Sequence, residues 1–298
     1  TYIGLNAVAN DYRWGTGKPH HIIFRNNVID YVEPSLYAKM GLYVDGGDHI
    51  LYENNLVKRC DGAAPSAECW NAKGRFREFV HNILRNNVFD GTGGNSLLSC
   101  VFGADDVTTY LSSDASATQT WVDDSVFVHN VGLINNPSGG PFKWNKSRRT
   151  RVKNNVLAQY ASQGMLSFVL RNTQAIDWIS DGNLWYSTGN PRWSWPGGVY
   201  SGLDAYQKGS AQETNSIVAQ PRFVNKTEND YRLLDGSPGA GQALPLTVTA
   251  SSGDRSTALL VQDARYFCDG YGLIEGDRIA VDGMQAIVTD VLEIFIDR

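Results

Sequence analysis

Apolar and polar residues alternate in a short phrase that the chain repeats six times. The first copy reads HIIFRNNV (21–28), and each later copy keeps the alternation and ends on an asparagine followed by an apolar residue. The final asparagines of the copies are Asn27, Asn55, Asn87, Asn130, Asn155 and Asn183, at intervals of 28, 32, 43, 25 and 28 residues. Alternation of this kind predicts a strand with one buried face. We therefore expect six equivalent strands, each closed by a turn.

The repeated asparagine predicts how these strands are arranged. Asparagine suits a tight turn, and its amide can bond to an equivalent asparagine one coil away. A unit of about 25 residues cannot bury a core alone, so the copies must stack. The expected fold is all-β, a parallel β-helix with longer intervals looped out at turns, in which the apolar residue after each asparagine points inward again. A β-propeller blade is longer and has a different signature, and an antiparallel sandwich would not need the phrase six times.

The chain changes character near residue 242. Asparagine occurs 23 times up to Asn229 and not afterwards, and short strand-like runs follow from Leu246. Asp282-Gly283 between two apolar runs predicts a hairpin. We therefore expect a parallel β-helix over 1–242 and a small β-barrel or sandwich-like domain over 243–298. Its apolar last strand predicts that this domain continues further or pairs with another chain.

The composition argues against several classes of binding partner. The net charge of −5 and the absence of a basic face argue against nucleic acid. The longest apolar runs are strand-sized, so no membrane-spanning helix is expected. The cysteines have no CxxC spacing, which argues against zinc, and either one bridge among the first three or free thiols fits the sequence. These cysteines are Cys60, Cys69, Cys100 and Cys268.

Two carboxylates follow strand-like runs on what the repeat predicts to be consecutive coils. GLYVD ends at Asp45, ten residues before Asn55, and APSAE ends at Glu68, 19 residues before Asn87 with an inserted loop between. Neighbouring parallel strands lie about 4.8 Å apart, so the carboxyl groups would face one another at roughly 5–6 Å. That separation fits a retaining glycosidase, in which one acid is the nucleophile and the other the proton donor. Proximity would also separate their pKa values.

Two family resemblances accompany these motifs. The IxxNNV phrase and the closing segments NSIVAQPRFVN (215–225) and NDYRLLDGSPGAG (229–241) resemble right-handed parallel β-helix proteins with pectin-lyase-like folds. That resemblance implies a secreted or cell-surface protein acting on carbohydrate. Locally, GLYVDGGDHILYENN with the following AE strand end is similar to the β-xylosidases of glycoside hydrolase family 120. This second resemblance implies that Asp45 is the nucleophile and Glu68 the acid/base residue.

Further residues are candidates for substrate binding. Asp48 and His49 follow Asp45 in a GGDH turn and could bind a sugar hydroxyl or orient the nucleophile, and exposed loop tryptophans could stack on a sugar ring. Asn145 stands ten residues before Asn155, as Asp45 does before Asn55, so its neighbours would share the face of the carboxylate pair. The remaining candidates are Trp70, Lys73, Arg75, Lys143, Trp144, Asn145, Trp193 and Trp195.

The sequence is compatible with three classes of function. The first is a retaining glycoside hydrolase, and the second is a polysaccharide lyase in which Lys143 with Arg148 or Arg171 neutralises a uronate. The third is a non-catalytic glycan-binding or fibre protein that self-associates. No cofactor is expected. Calcium is weighed only for acidic turns without EF-hand spacing, namely Asp105, Asp106, Asp123, Asp124, Asp269, Glu275 and Asp277.

Overall fold

The structure is a computed structural model in which the chain forms two compact units, Thr1–Ala243 and Leu244–Arg298. It describes residues 3–8, 19–30, 40–45, 47–59, 62–64, 78–92, 121–135, 142–144, 147–161, 165–169, 177–251 and 256–292. The strands are numbered β1 to β27 along the chain.

Two long parallel sheets dominate the first unit. One contains β2 (His20–Arg25), β5 (Asp48–Glu53), β9 (Ile83–Arg85), β12 (Val126–Val128), β16 (Arg151–Lys153) and β19 (Ile179–Asp181). The other contains β3 (Val28–Asp30), β6 (Leu56–Lys58), β10 (Val88–Asp90), β13 (Val131–Ile134), β17 (Val156–Gln159), β20 (Leu184–Ser187) and β23 (Ile217–Val218).

Shorter sheets complete the described part of this unit. One parallel sheet is β1 (Ile3–Val8), β4 (Met40–Asp45) and β7 (Gly62–Ala64), and another is β8 (Glu78–Val80), β11 (Trp121–Asp123) and β15 (Ser147–Arg148). A third contains β14 (Phe142–Trp144), β18 (Met165–Val169), β21 (Arg192–Trp195) and β22 (Gly198–Ser201), the last pair being antiparallel. Helix α1 (Leu203–Ser210) and the antiparallel pair β24 (Phe223–Asn225) and β25 (Asp230–Leu233) follow.

The strand order follows the chain through both long sheets. Each strand pairs in parallel with its counterpart from the preceding and following repeats, so that Val88 stands beside Leu56 on one side and Val131 on the other. A chain that circles once per repeat and returns beside itself gives this order. The fold is therefore all-β with long parallel sheets, an arrangement consistent with a parallel β-helix.

Two corners of the coil use left-handed backbone. At the second corner the residue immediately before the ladder asparagine has positive φ, rather than the ladder asparagine itself. Short polar residues tolerate this region because their side chains bond locally. The first-corner residues are His21, His49, His81, Asp124, Arg149 and Asp177 (φ 47 to 55°). The second-corner residues are Asn26, Asn54, Asn86, His129 and Asn154 (φ 54 to 58°), with Gly182 at 67°.

The asparagine ladder predicted from the repeat is confirmed. The Oδ1 atom of Asn87 accepts from the backbone N–H and the side-chain amide of Asn55, at 3.0 and 2.9 Å. Its Nδ2 donates to the Tyr52 carbonyl at 2.9 Å and to Asn130 Oδ1 at 3.0 Å. The same arrangement runs on through Asn155. These side chains satisfy buried backbone groups at a corner where no strand partner is available.

The ladder ends on a buried carboxyl group. The backbone N–H of Asn183 donates to Ser216 Oγ at 2.8 Å, and its side-chain amide donates to both carboxyl oxygens of Glu213, at 3.2 and 3.1 Å. The Ser180 and Ser216 hydroxyls donate to the same carboxyl group. Burial is the largest influence on Glu213 and raises its pKa, against these hydrogen bonds, which lower it.

The raised pKa of Glu213 predicts a pH-dependent stability. A carboxyl group that is easier to protonate in the folded state stabilises the fold most at pH below its unfolded value near 4.5. We expect its contribution to be lost as the pH rises from 4.5 through the folded pKa. Urea unfolding from pH 4 to 8 should show a smaller decline for Glu213→Gln than for the wild type. The exposed-residue control Glu228→Gln should follow the wild type, and identical curves for all three proteins would contradict the prediction.

The interior faces of the strands form an aromatic-rich core. We expected the first apolar residue after each ladder asparagine to point inward, but Val28 is 71% exposed, and in the three coils that follow, this residue faces the other side of its sheet. Leu56, Val88 and Val131 pack there with Phe223 of β24 and Tyr231 of β25. The main core instead takes the second residue, as at Val57, Phe89 and Leu157. The β24–β25 pair thus covers a sheet face that the repeat alone indicated to be solvated.

The second unit contains the expected hairpin. Strands β26 (Arg278–Val281) and β27 (Met284–Ile287) are antiparallel, and Asp282 and Gly283 between them have φ of 50° and 79°. These values suit the two-residue hairpin turn predicted from the Asp-Gly pair. Thr249 and Val261 form an isolated antiparallel bridge, and Cys268 is a buried free thiol. Among the described residues of the chain, no helix has the length and apolar character to cross a membrane.

Candidate functional site

Asp45 is the last residue of β4, the central strand of the β1–β4–β7 sheet. Its backbone stands opposite Val8, and Tyr43 of the same strand stands opposite Ala64 of β7. In the sequence Asp45 is two residues beyond Tyr43, whereas Glu68 is four residues beyond Ala64. Glu68 lies outside the described residues. The strand that ends at Asp45 and the strand that precedes Glu68 are therefore neighbours. Measured from the paired residues Tyr43 and Ala64, Glu68 lies two residues further along the chain than Asp45 does.

The turn after Asp45 is held from both neighbouring coils. The backbone N–H of Asp48 donates to the Pro19 carbonyl at 3.0 Å. On the other side, Asn82 accepts from the Ile50 N–H at 3.1 Å and donates to the Gly47 carbonyl at 3.0 Å. Asp48 is 8% exposed and Asn82 is 6% exposed. This corner is therefore a fixed element that carries Asp48 and His49 just beyond the end of β4.

Three imidazoles form a column along the first corner. The rings of His21 and His49 are parallel with centroids 4.9 Å apart, and the His49 and His81 centroids are 5.3 Å apart. His20 Nδ1 lies 2.8 Å from His21 Nδ1. Stacking covers the faces of the two parallel rings, and their nitrogen atoms lie at the ring edges. Histidine and aspartate together supply groups suited to proton transfer and to binding hydroxyls.

The sequence predicted only part of this corner. Asp48 and His49 were candidates, while His21, His81 and Asn82 were not. A signal was present, because each first-corner residue stands six positions before a ladder asparagine, as His21 does before Asn27. Counting back from the ladder would have found three histidines at one position of three consecutive coils.

Several predicted site residues lie outside what the structure describes. These are Glu68, Trp70, Lys73, Arg75, Asn145, Arg171, Asp105 and Asp106. Lys143 is placed by its backbone in β14, opposite Phe168 of β18. Asp45 is likewise placed by its backbone alone. The expectation that Lys143 and Asn145 share a face with the carboxylate pair stays a prediction.

The three described tryptophans that were predicted to bind sugar are packed inside the first unit. Trp144 is 2% exposed and its ring contacts Phe127 and Trp178, and Trp193 is fully buried against Tyr206. Trp195 is partly buried and also packs on this cluster. The loop composition around 190–197 indicated exposure, but the aromatic side chains fill the coil interior because it offers a large apolar volume. We therefore leave Trp144 and Trp193 out of the proposed binding surface.

Acidic and basic side chains at the first corner of later coils bind one another. Arg148 forms a two-point ion pair with Asp123, with one bond of 2.7 Å, and Arg149 forms one with Asp124, with both bonds at 2.8 Å. Asp123 is fully buried and Asp124 is 3% exposed. Asp123 and Asp124 were among the acidic residues weighed for calcium. Their pairing instead occupies both the carboxylates considered for calcium and the Arg148 guanidinium considered for uronate binding.

The acidic turn of the second unit is also engaged. Asp277 Oδ2 accepts from the Cys268 N–H at 2.9 Å, Asp269 Oδ1 accepts from the Tyr271 N–H at 2.8 Å, and Glu275 pairs with Arg278 at 2.8 Å. Within the described ranges, no group of three or more His, Cys, Asp or Glu side chains has an arrangement that could hold a metal ion.

Comparison with known proteins gives no assignment. No protein-family model, no curated protein and no solved structure matches this chain. The function is therefore inferred from the residues and their geometry.

Proposed function

We propose that this protein is a secreted, carbohydrate-active, right-handed parallel β-helix protein that works as a retaining glycoside hydrolase on oligosaccharides, with a β-xyloside as the expected substrate. The observation that carries the proposal is the placement of Asp45 at the end of β4, directly beside β7, after which Glu68 follows in the sequence. Neighbouring parallel strands are the simplest scaffold that brings two carboxylates within a few ångströms.

The proposed roles follow the chemistry of retaining glycosidases. The Asp45 carboxylate attacks the anomeric carbon while Glu68 protonates the departing glycosidic oxygen. A glycosyl ester with Asp45 results. Glu68 then takes a proton from water, which attacks the same carbon and releases the sugar and the Asp45 carboxylate. Asp48 and His49, at the fixed corner beyond β4, are proposed to bind substrate hydroxyls together with Trp70, Lys73 and Arg75 from the segment after Glu68.

The remaining features of the proposal are architectural. The coil over 1–242 is proposed to be right-handed, as parallel strands joined by crossovers nearly always are. Residues 243–298 are proposed to form a small β-barrel or sandwich-like domain, and copies of the chain are proposed to self-associate. An extracellular or cell-surface location accords with a polysaccharide or oligosaccharide substrate.

One of the cations considered for a lyase, Arg148, is engaged in an ion pair. Neutralising a uronate requires a guanidinium or ammonium that can turn toward the substrate. The Arg148 guanidinium is instead held at two points by the fully buried Asp123. Moving it to a substrate would leave that buried carboxylate with only its longer contact to Arg149, at 3.2 Å, which is costly. This observation argues against Arg148 as the cation of a lyase, and the alternative Arg171 lies outside the described residues.

The test is turnover of a panel of aryl glycosides, followed by proton NMR of the first sugar anomer released. The proposal predicts release of the aryl group and a first product with the configuration of the substrate. Release of the opposite anomer would replace retention with inversion, which requires carboxyl groups about 6.5–9.5 Å apart instead of 5–5.5 Å. Binding of oligosaccharides without any product would reject the hydrolase in favour of a non-catalytic glycan-binding protein. Unsaturated products from uronate polymers would reject it in favour of a lyase.

A further inference from the structure

Asn82 makes an unusual contact for its position in the coil. It follows the first-corner residue His81, and both ends of its side-chain amide bond to the preceding coil rather than to its own. The Oδ1 atom accepts from the Ile50 N–H at 3.1 Å and the Nδ2 atom donates to the Gly47 carbonyl at 3.0 Å. These two backbone groups bracket Asp48 and His49. One buried side chain thus closes the corner that follows the predicted nucleophile.

Equivalent residues of later coils do not do this. Ser125 and Thr150 occupy the same position after first-corner residues Asp124 and Arg149. The Ser125 hydroxyl bonds to the Asp123 carbonyl at 3.3 Å and the Thr150 hydroxyl to the Arg148 carbonyl at 3.1 Å, both within their own coil. A corner of this coil can therefore form without a cross-coil amide. The fold by itself does not require an asparagine at residue 82.

The corner that Asn82 holds has an intrinsic cost. His49 takes a left-handed conformation with φ of 51°, which costs about 1–2 kcal/mol for a residue other than glycine. Its ring is fixed between His21 and His81, and the Asp48 N–H is bound to Pro19 on the far side. Side chains held from several directions keep one geometry, which is what catalysis needs from groups around a reacting atom.

We infer that Asn82 is a positioning residue that fixes the Gly47–Ile50 corner, and through it Asp48 and His49, for the glycosidase reaction. This inference rests on the proposed function. Asn82 does not touch substrate in this account and acts only through the backbone that it binds. Loss of its amide frees the Gly47 carbonyl and the Ile50 N–H together, so the corner beyond Asp45 loses its register with the next coil.

The test compares Asn82→Ser with Asn155→Ser. Serine is native at the equivalent position of the next coil, so Asn82→Ser is expected to fold. Asn155 is a control for general destabilisation, because its Oδ1 accepts from the Asn130 N–H at 2.9 Å and its Nδ2 donates to the Phe127 carbonyl at 2.9 Å in a remote coil. Its two further ladder bonds, to the side chains of Asn130 and Asn183, make its loss the more destabilising of the two changes. We expect Asn82→Ser to lower kcat for an aryl β-xyloside about 10- to 100-fold with a smaller change in KM. Asn155→Ser should keep kcat within about twofold of the wild type.

Hydrogen exchange gives a readout that does not depend on activity. The Ile50 amide should exchange faster in Asn82→Ser, and the His49 ring resonances should shift, while both stay as in the wild type in Asn155→Ser. Unchanged Ile50 exchange, or an equal loss of kcat in the two variants, would overturn the inference. Asn82→Ala serves as a second variant with the same expectations. If the wild type turns over no glycoside, the proposed function fails, and with it the catalytic part of the inference, whereas Ile50 exchange still decides whether Asn82 holds the corner.

Discussion

Asp45→Asn is expected to lower kcat on an aryl β-xyloside by about a thousandfold or more while the protein stays folded. Asparagine has almost the same shape as aspartate, but its amide cannot form the glycosyl ester that the proposed mechanism requires. Loss of a covalent nucleophile commonly has an effect of this size or larger. The measurement is steady-state kinetics, with circular dichroism and urea unfolding to show that the coil is intact.

A matched control is available in Asp30→Asn. Asp30 also ends a strand of the first unit, but it is exposed and paired with Arg59 at 2.7 Å, and this guanidinium lowers the pKa of its carboxyl group. Surface pairs of this kind contribute at most about 1 kcal/mol. We therefore expect Asp30→Asn to retain kcat and nearly all stability. Full activity of Asp45→Asn would refute the assignment of the nucleophile.

Chemical rescue separates the roles of the two acids. Azide should restore aryl release in Glu68→Ala and give a glycosyl azide with the substrate's configuration, since the Asp45 nucleophile is still present. In Asp45→Gly, azide should give a product of opposite configuration, because it attacks in place of the carboxylate. The same configuration from both variants would show that the two roles have been assigned incorrectly.

Asn87→Ala is expected to destabilise the first unit by about 2–5 kcal/mol. The side chain is fully buried, and it satisfies the Asn55 N–H and the Tyr52 carbonyl while joining two neighbouring asparagine amides. Removing it leaves buried backbone groups without their partner, at about 1–3 kcal/mol each. Urea unfolding followed by circular dichroism measures the difference, provided that the slope with denaturant stays the same.

The control for the ladder is Asn27→Ala. Asn27 is half-buried and, as the first asparagine of the ladder, donates from its backbone and side chain to Asn55 Oδ1, at 3.1 and 2.8 Å. Its loss removes one side-chain bond at the end of the ladder, so we expect a cost of about 1 kcal/mol. Equal costs for the two variants would show that position within the ladder does not matter. In the double variant Asn87→Ala with Asn130→Ala, the energies should not add, because the two amides bond directly.

The repeating coil could be predicted from the sequence because the asparagine phrase recurs six times. The spacing from Asn27 to Asn183 required one equivalent corner per repeat, and the structure bears out the amide bonds that the repeat predicted. The same spacing also predicts the histidine column, because each of its three histidines stands six residues before a ladder asparagine. The prediction that the residue after each ladder asparagine points inward was wrong in four coils, because the covered side of a strand depends on what packs there. In the first of these coils Val28 is exposed, and in the other three a distant part of the chain packs on that side. Here Phe223 and Tyr231, far along the chain, cover it.

The candidate site could be predicted from the sequence only in part. Asp45 was placed by its offset from Asn55, and the structure puts its strand beside β7. Asn82 could not be assigned a role, because its partners Gly47 and Ile50 are 35 and 32 residues away and are reached only through the register of adjacent coils. The burial of Trp144 and Trp193 was equally hidden, since a loop-like composition does not reveal which aromatic rings the core can accept.

The sequence alone determined the repeating unit, the asparagine ladder, the Asp-Gly hairpin and the position of Asp45 relative to the ladder, because each depends on local pattern and spacing. Only the tertiary structure decided how charges and amides are paired. Asp123 with Arg148, Glu213 with the last asparagine of the ladder, and Asn82 with the corner after β4 are contacts between different coils. Strand register decides which side chains of neighbouring coils meet, and burial makes an unpaired polar group costly. The spacing within any one repeat predicts neither of them.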